Sequence, residues 1–212
     1  MADTELDVRS RAAAALRRLG HALITHEADE ELLDRVAVTA DRVAADLEEQ
    51  PPRRRDLLEL KRRMFDIDVP EGATVVHFDE CFVSGPWNPL GIAIEVHREG
   101  EEAVAEVSLG GAFEGAPGRS HGGIVAAIFD DVLGYLLTLR QQPGFTGELT
   151  VRYLAATPIG QPLRFRARVE GLDGRKLSTS AEARVITPDG EGEVVATARA
   201  TFVLIDTARL RT

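Results

Sequence analysis

Apolar positions recur along the chain with two different periods, and the change falls near residue 70. From Glu5 to about Phe65 the spacing is helical. Leu16, Leu19 and Leu23 stripe a first helix near Glu5 to Ile24. Asp29 stands where it caps a second helix through Leu47, with Leu32, Leu33, Val36, Val43 and Leu47 turned inward. Pro51-Pro52 stops that helix, and Arg53–Phe65 reads as a shorter basic one. After Pro70 the period drops to two. Val75–Phe78 reads as a short strand; Ile92, Ile94 and Val96 alternate, Val104 and Val107 less cleanly, and Glu99–Glu102 is the turn between them. Further on come strands at Gly147–Ala155, Pro162–Gly171, Lys176–Thr187 and Glu193–Ile205, joined by Gly171–Gly174 and Pro188–Gly190. Between the two groups lies one helix, because Val125, Phe129, Val132 and Leu136 fall at helical spacing. Hairpin-length connections imply an antiparallel sheet, and a long apolar helix must cover one of its faces. The predicted class is α+β, with residues 1–70 as an N-terminal helical extension and 71–212 as the sheet-and-helix domain.

That helix breaks two propensity rules. It opens on Gly122 and Gly123, each costing about 1 kcal/mol relative to Ala inside a helix, and it carries Asp130 and Asp131 within its most apolar run. A glycine pair at a helix start admits close approach to amides that have no intrahelical partner, which suits a developing oxyanion. Gly123, Ala127, Asp130 and Gly134 share one side, lined by small residues and one carboxylate, open to a substrate or a second subunit. Val125, Phe129, Val132 and Leu136 form the stripe that faces the sheet. Asp130 is therefore the acid presented to a cleft, whereas Asp131, beside Ile128 and Tyr135, suits a structural hydrogen bond.

Composition narrows the chemistry. The chain has 212 residues, enough for one domain or a domain with an appendage, and its net charge of -10 argues against general binding to nucleic acid or acidic membrane. A lone Cys81 excludes an intrachain disulfide and fits a reducing compartment. The acidic start Met1–Asp7 and the lack of any run of about 18 apolar residues argue against a leader or a membrane span, so the expected location is cytoplasmic. The basic run Arg53-Arg54-Arg55 with Lys61-Arg62-Arg63 reads first as a solvated face. Arg164, Arg166 and Arg168 alternate along one strand with Arg152 on the preceding one. They make either an exposed polar sheet face or a local positive surface for an anionic ligand. His121 with its glycines is by itself as consistent with a structural histidine as with a site. No G-x-S-x-G elbow and no recognised zinc spacing occurs, so no metal is expected. The residues alone point to an acyl-transfer or hydrolytic pocket.

The run from Phe113 through His121-Gly122-Gly123 and Asp130-Asp131 to Gly134, with Asn88-Pro89-Leu90-Gly91 upstream and Thr146–Tyr153 downstream, closely resembles the phenylacetate-pathway (PaaI-like) family of hotdog-fold acyl-CoA thioesterases. The likeness covers about Cys81 to Ile205. It implies a hotdog fold, an antiparallel sheet wrapped around one long central helix, paired as a homodimer or dimer of dimers with active sites at the interface. It implies Asp130 as general base or nucleophile, the Gly122 amide as oxyanion donor, and His121 as the group that positions the carbonyl. Thr146, on a strand entering from the partner, would hold the attacking water. Gly123, Asn88 and Gly115 join Arg152, Arg164 and Arg166 as the substrate-binding set, Gly115 standing where many members carry Asn or Gln. The substrate implied is an acyl-CoA, with coenzyme A part of the substrate and no separate cofactor, and neither nucleic acid nor membrane as partner. Two alternatives keep the fold: a non-catalytic acyl-CoA-binding module, favoured by the missing amide, and an enoyl-CoA hydratase, disfavoured by the lack of a D-x-N-x-x-H signature.

Overall fold

The computed structural model describes residues 7–54, 67–74 and 77–205. Its frame is a six-stranded antiparallel sheet in the order β1-β2-β6-β7-β8-β5, formed by β1 (Glu95–Glu99), β2 (Glu102–Ser108), β5 (Gly144–Tyr153), β6 (Pro162–Asp173), β7 (Lys176–Thr187) and β8 (Gly190–Leu204). A small hairpin, β3 (Glu114–Ala116) with β4 (Arg119–Ser120), precedes the central helix. Two helices precede the sheet, α1 (Val8–Thr25) and α2 (Glu30–Glu48), and α3 (Gly122–Leu139) lies across it. The expected hotdog arrangement is thus present, with strand ends differing from the expected ones by a few residues: β5 begins at Gly144, β6 runs on to Asp173 and β8 begins at Gly190.

Alternation builds the core. Leu163, Phe165 and Ala167 of β6 point one way and are fully buried, as are Leu177, Ala183, Ala196 and Phe202 of the next two strands, and they meet Val125, Phe129, Val132 and Leu136 of α3. Phe129 packs edge-on against Phe165 with ring centroids 5.1 Å apart. The stripe expected to face the sheet does so. By length and composition alone α3 is apolar enough to cross a membrane, although no span was expected from the sequence. Its position under the sheet accounts for that hydrophobicity.

The N-terminal helices depart from expectation. α1 packs on the sheet domain: Ser10 and Ala13 are buried, and His21 Nδ1 accepts from the Ala112 amide at 3.2 Å. Gly110 and Gly111 make this possible, since a Cβ on Gly110 would come within 2.6 Å of the His21 ring and one on Gly111 within 2.3 Å of Thr25. α2 was expected to turn Leu32, Leu33, Val36, Val43 and Leu47 inward. It has no buried residue and does not pack along α1. Amphipathic spacing specifies an apolar face, not what covers it.

The expected strand at Val75–Phe78 reduces to one bridge, Thr74 to His97, with no strand at residues 77–78; Val75 and Val76 lie outside the described residues. Most of the expected basic helix, residues 55–65, also lies outside them. Arg53 is no free solvated cation, for it lies 4.6 Å over the Trp87 ring and pairs with Glu80.

Candidate active site

The site begins with a turn. Pro117-Gly118 joins β3 to β4 with Gly118 at φ 74°, the left-handed conformation a type II turn needs at its third position. The Glu114 side chain accepts from the Gly118 amide at 2.5 Å, and β4 is held from outside by Ser120 N donating to Thr157 O at 2.9 Å. The hairpin delivers His121 to the N-cap of α3. The His121 amide donates to Phe113 O at 2.8 Å, and its ring Nδ1 accepts from Gly123 N–H at 3.0 Å. With Nδ1 an acceptor, the neutral ring carries its proton on Nε2. Ile124 and Val125 both donate to the His121 carbonyl. Among the described residues no group accepts from the Gly122 amide. It is a free donor at the positive end of an 18-residue helix.

Gly115 lies against His121, where a Cβ would come within 2.7 Å of the His121 Cα. No side chain could stand at this position without moving the histidine's backbone, although Gly115 itself is exposed. Asn88 is likewise committed locally. Its Nδ2 donates to Glu80 O at 3.1 Å, its Oδ1 accepts from Leu90 N at 2.9 Å, and its carbonyl accepts from Arg17 at 2.7 Å.

Two turns down α3, Asp130 is exposed and accepts from the Thr146 hydroxyl at 3.1 Å. A bulge aims that hydroxyl. Thr146 pairs with Phe202 and Glu148 with Thr201, so Gly147 is an extra residue in β5. Thr146 therefore shares the helix-facing side with Leu149 and Val151. Asp130 and Thr146 lie in the same copy of the chain, so if the strand enters a site from a partner, the carboxylate enters with it.

Asp131 looks the other way. It is largely buried, its Oδ1 accepts from the Cys81 thiol at 3.3 Å, and its Oδ2 and the Tyr135 hydroxyl have no partner among the described residues. Burial pushes its carboxyl above the usual range, opposed by the neighbouring Ser84 and Cys81 side chains and helped by the Asp130 charge. Burial and the Asp131 charge also push the Cys81 thiol up, which makes it a poor nucleophile. His77 stacks on Tyr135 at 3.7 Å and bonds the Thr138 hydroxyl at 2.8 Å, and its burial lowers its pKa to about 4. The structural role expected for Asp131 is the one it has.

The arginines stand on the opposite face of the sheet from α3. Arg164 binds Glu106 and Glu191, and Arg166 binds Glu99 and Glu102. Arg152 and Arg166 line an open depression of about 920 Å³ on that outer face, with Arg168, Glu148, Glu170 and Glu182. This depression is polar and does not include Asp130, His121 or Gly122. The arginines thus lie on an exposed polar face: β-strand alternation turns them away from the helix, and Arg164 and Arg166 are paired with carboxylates.

Tyr153 was not singled out from the sequence. Its hydroxyl donates to Gly122 O at 2.6 Å, tying the end of β5 to the first turn of α3. Its signal was its place at the end of the Thr146–Tyr153 stretch. Arg119, two residues before His121, was also passed over, and it has no carboxylate partner among the described residues.

Residues 118–194, from the hairpin turn through α3 into β8, match the model of a family described as Thioesterase superfamily. Acyl-coenzyme A thioesterase THEM4 of Xenopus laevis is 35% identical over 71 residues, which is 34% of this chain and 32% of that protein. Acyl-coenzyme A thioesterase THEM5 of Mus musculus is 30% identical over 88 residues, 42% of this chain and 36% of that protein. The matches thus span about a third of those relatives' lengths. A solved structure described as a thioesterase superfamily protein superposes with a TM-score of 0.75 at 29% identity, covering 92% of this chain and 94% of that one. Read with α3 wrapped by its sheet and the His121-Gly122-Gly123 start, these likenesses show that the chain has the hotdog fold and is similar to thioesterase-superfamily proteins over residues 118–194.

Proposed function

We propose that this chain hydrolyses acyl-coenzyme A thioesters to a free acid and coenzyme A. The observation that carries the reading is the pairing of an exposed carboxylate, oriented by the Thr146 hydroxyl, with an unengaged amide at the start of the same helix. Both curated relatives are acyl-coenzyme A thioesterases by name, which supports the substrate class.

Eight residues separate Gly122 from Asp130, about 12 Å along a helix axis. One thioester carbon does not reach both groups of a single helix. The complete site therefore needs His121 and Gly122 from one copy and Asp130 with Thr146 from a second. There the thioester carbonyl accepts from the Gly122 N–H, which stabilises the oxyanion as the carbon becomes tetrahedral. Thr146 occupies Oδ1 of Asp130 and leaves Oδ2 to take a proton from the attacking water. Collapse of the tetrahedral species breaks the C–S bond and expels the thiolate, which takes up a proton. The thioester is already activated, so an aligned base, a water and an oxyanion donor suffice, with no added cofactor. Tyr153 holds the Gly122 carbonyl and so fixes the peptide that follows the oxyanion donor. Arg119, beside the site in the chain and without a carboxylate partner among the described residues, is better placed for coenzyme A phosphates than Arg164 or Arg166.

A thiol-release assay over short, aromatic and long acyl-CoAs tests the reading, with Asp130→Asn as the inactive control. The closed Gly115 position favours one other reading, a binding module without turnover. Tight acyl-CoA binding with no thiol release would establish that one instead.

A further inference from the structure

α1 and α2 each carry an apolar seam spaced alternately by three and four residues. In α1 it is Ala12, Leu16, Leu19 and Leu23; in α2 it is Leu33, Val36, Ala40, Val43 and Leu47. This is the spacing of helices that pair side by side. Both seams are open: Leu16 is 52% exposed, Leu23 43%, Val43 48% and Leu47 66%. An amphipathic helix such as α2 draws most of its stability in a protein from packing its apolar face.

The charges of the two helices are complementary. α1 holds Arg9, Arg11, Arg17 and Arg18 and no carboxylate. α2 holds six carboxylates against Arg35 and Arg42. Arg9 lies over Trp87, and Arg17 donates to the Pro86 and Asn88 carbonyls. Arg11 and Arg18 remain, seven residues apart, without a carboxylate partner among the described residues. Asp34, Asp41 and Glu48 recur at the same seven-residue interval on α2. Two acidic α2 helices repel each other, whereas α2 and α1 attract.

Within one chain the two surfaces do not meet. The connection from His26 to Asp29 is extended at both ends, with ψ 141° and 162°, and leads α2 away from α1. We infer that α2 of one copy docks on α1 of a second copy, and reciprocally, so that two chains exchange their acidic helices. The occupant of each open seam is then the other seam of the partner chain. The inference does not depend on the proposed hydrolysis, because neither helix supplies His121, Gly122, Asp130 or Thr146.

The midpoints of two paired helices lie close whichever way the helices run, which fixes the test. In a full-length Cys81→Ser background, a Leu16→Cys chain and an Ala40→Cys chain are co-expressed with different tags and treated with a short bis-maleimide. The expected result is a crosslinked species carrying both tags, absent when either chain is expressed alone and lost when Leu33→Asp and Leu47→Asp are added. Crosslinking of the Ala40→Cys chain to itself would overturn the inference in favour of α2 self-pairing. A purely intrachain link in a Leu16→Cys/Ala40→Cys chain would overturn it in favour of a closed hairpin. Absence of both links would overturn it outright.

Discussion

Asp130 and Asp131 are consecutive residues on one helix, and they occupy opposite worlds. Asp130 is exposed and accepts a hydrogen bond from a β5 hydroxyl. Asp131 is enclosed among Cys81 and Tyr135, with one oxygen unpartnered among the described residues. A helix turns by 100° per residue, so adjacent positions address different neighbours. The pair shows that carboxylates inside an apolar helix form two classes. One is exposed and held by a hydroxyl from the sheet, and the other is largely buried and held partly against its charge.

The largest effect should fall on turnover. Asp130→Asn is expected to reduce kcat by about 10²- to 10⁴-fold, the usual contribution of a general base, with an unchanged thermal melt. Asp131→Asn should keep most of the activity; equal losses in the two variants would break the comparison. Asp131 should be visible instead in stability against pH. Its folded carboxyl sits above the ordinary value of 3.8. It therefore favours the fold most below that value and withdraws that contribution as pH rises through the folded pKa. Denaturant titrations of Asp131→Asn should show that decline removed.

His77, on Asp131's side of the helix, gives the next effect, with the opposite sign. Its pKa falls from 6.5 to about 4 on folding. The neutral ring's stabilisation is present above 6.5 and is lost as pH falls towards 4, by about 3 kcal/mol for a shift of this size. Urea midpoints at pH 7 and pH 4.5 should differ accordingly, and His77→Phe should flatten the slope. Smaller again is Thr146→Ala, which removes one hydrogen bond to a charged group and is expected to lower kcat about tenfold. If KM changes instead, Thr146 belongs to binding rather than to the Asp130 side of the comparison. Least of all, Arg164→Ala should leave KM for acyl-CoA unchanged and shift stability by under about 1 kcal/mol, since Arg164 is bound to Glu106 and Glu191 on the outer face.

Much of the fold was legible because its signals are periodic. The stripe through Val125 and Phe129 and the alternation in β6 to β8 each extend over enough residues to separate a period of 3.6 from one of 2. The division between Asp130 and Asp131 came from the same periodicity. What escaped lacked a period or depended on a partner. The β3–β4 hairpin has strands of three and two residues, too short to alternate. The Gly147 bulge shows only once β5 is laid against β8. The ion pairs of Arg164 and Arg166 depend on the register of β6 with β2, which brings Glu106 opposite Arg164. The exposed course of α2 was hidden because an amphipathic helix reads alike whichever surface covers it.

Gly115 constrains what can stand beside the start of α3. Its Cα lies so near the N-cap that a side chain would push on the His121 backbone, and His121 fixes the amides on which an oxyanion depends. A single change of Gly115 to Asn or Gln would therefore shift the histidine and, with it, the amides it orients. The lack of a side chain at position 115 is thus a condition for the geometry of the helix start.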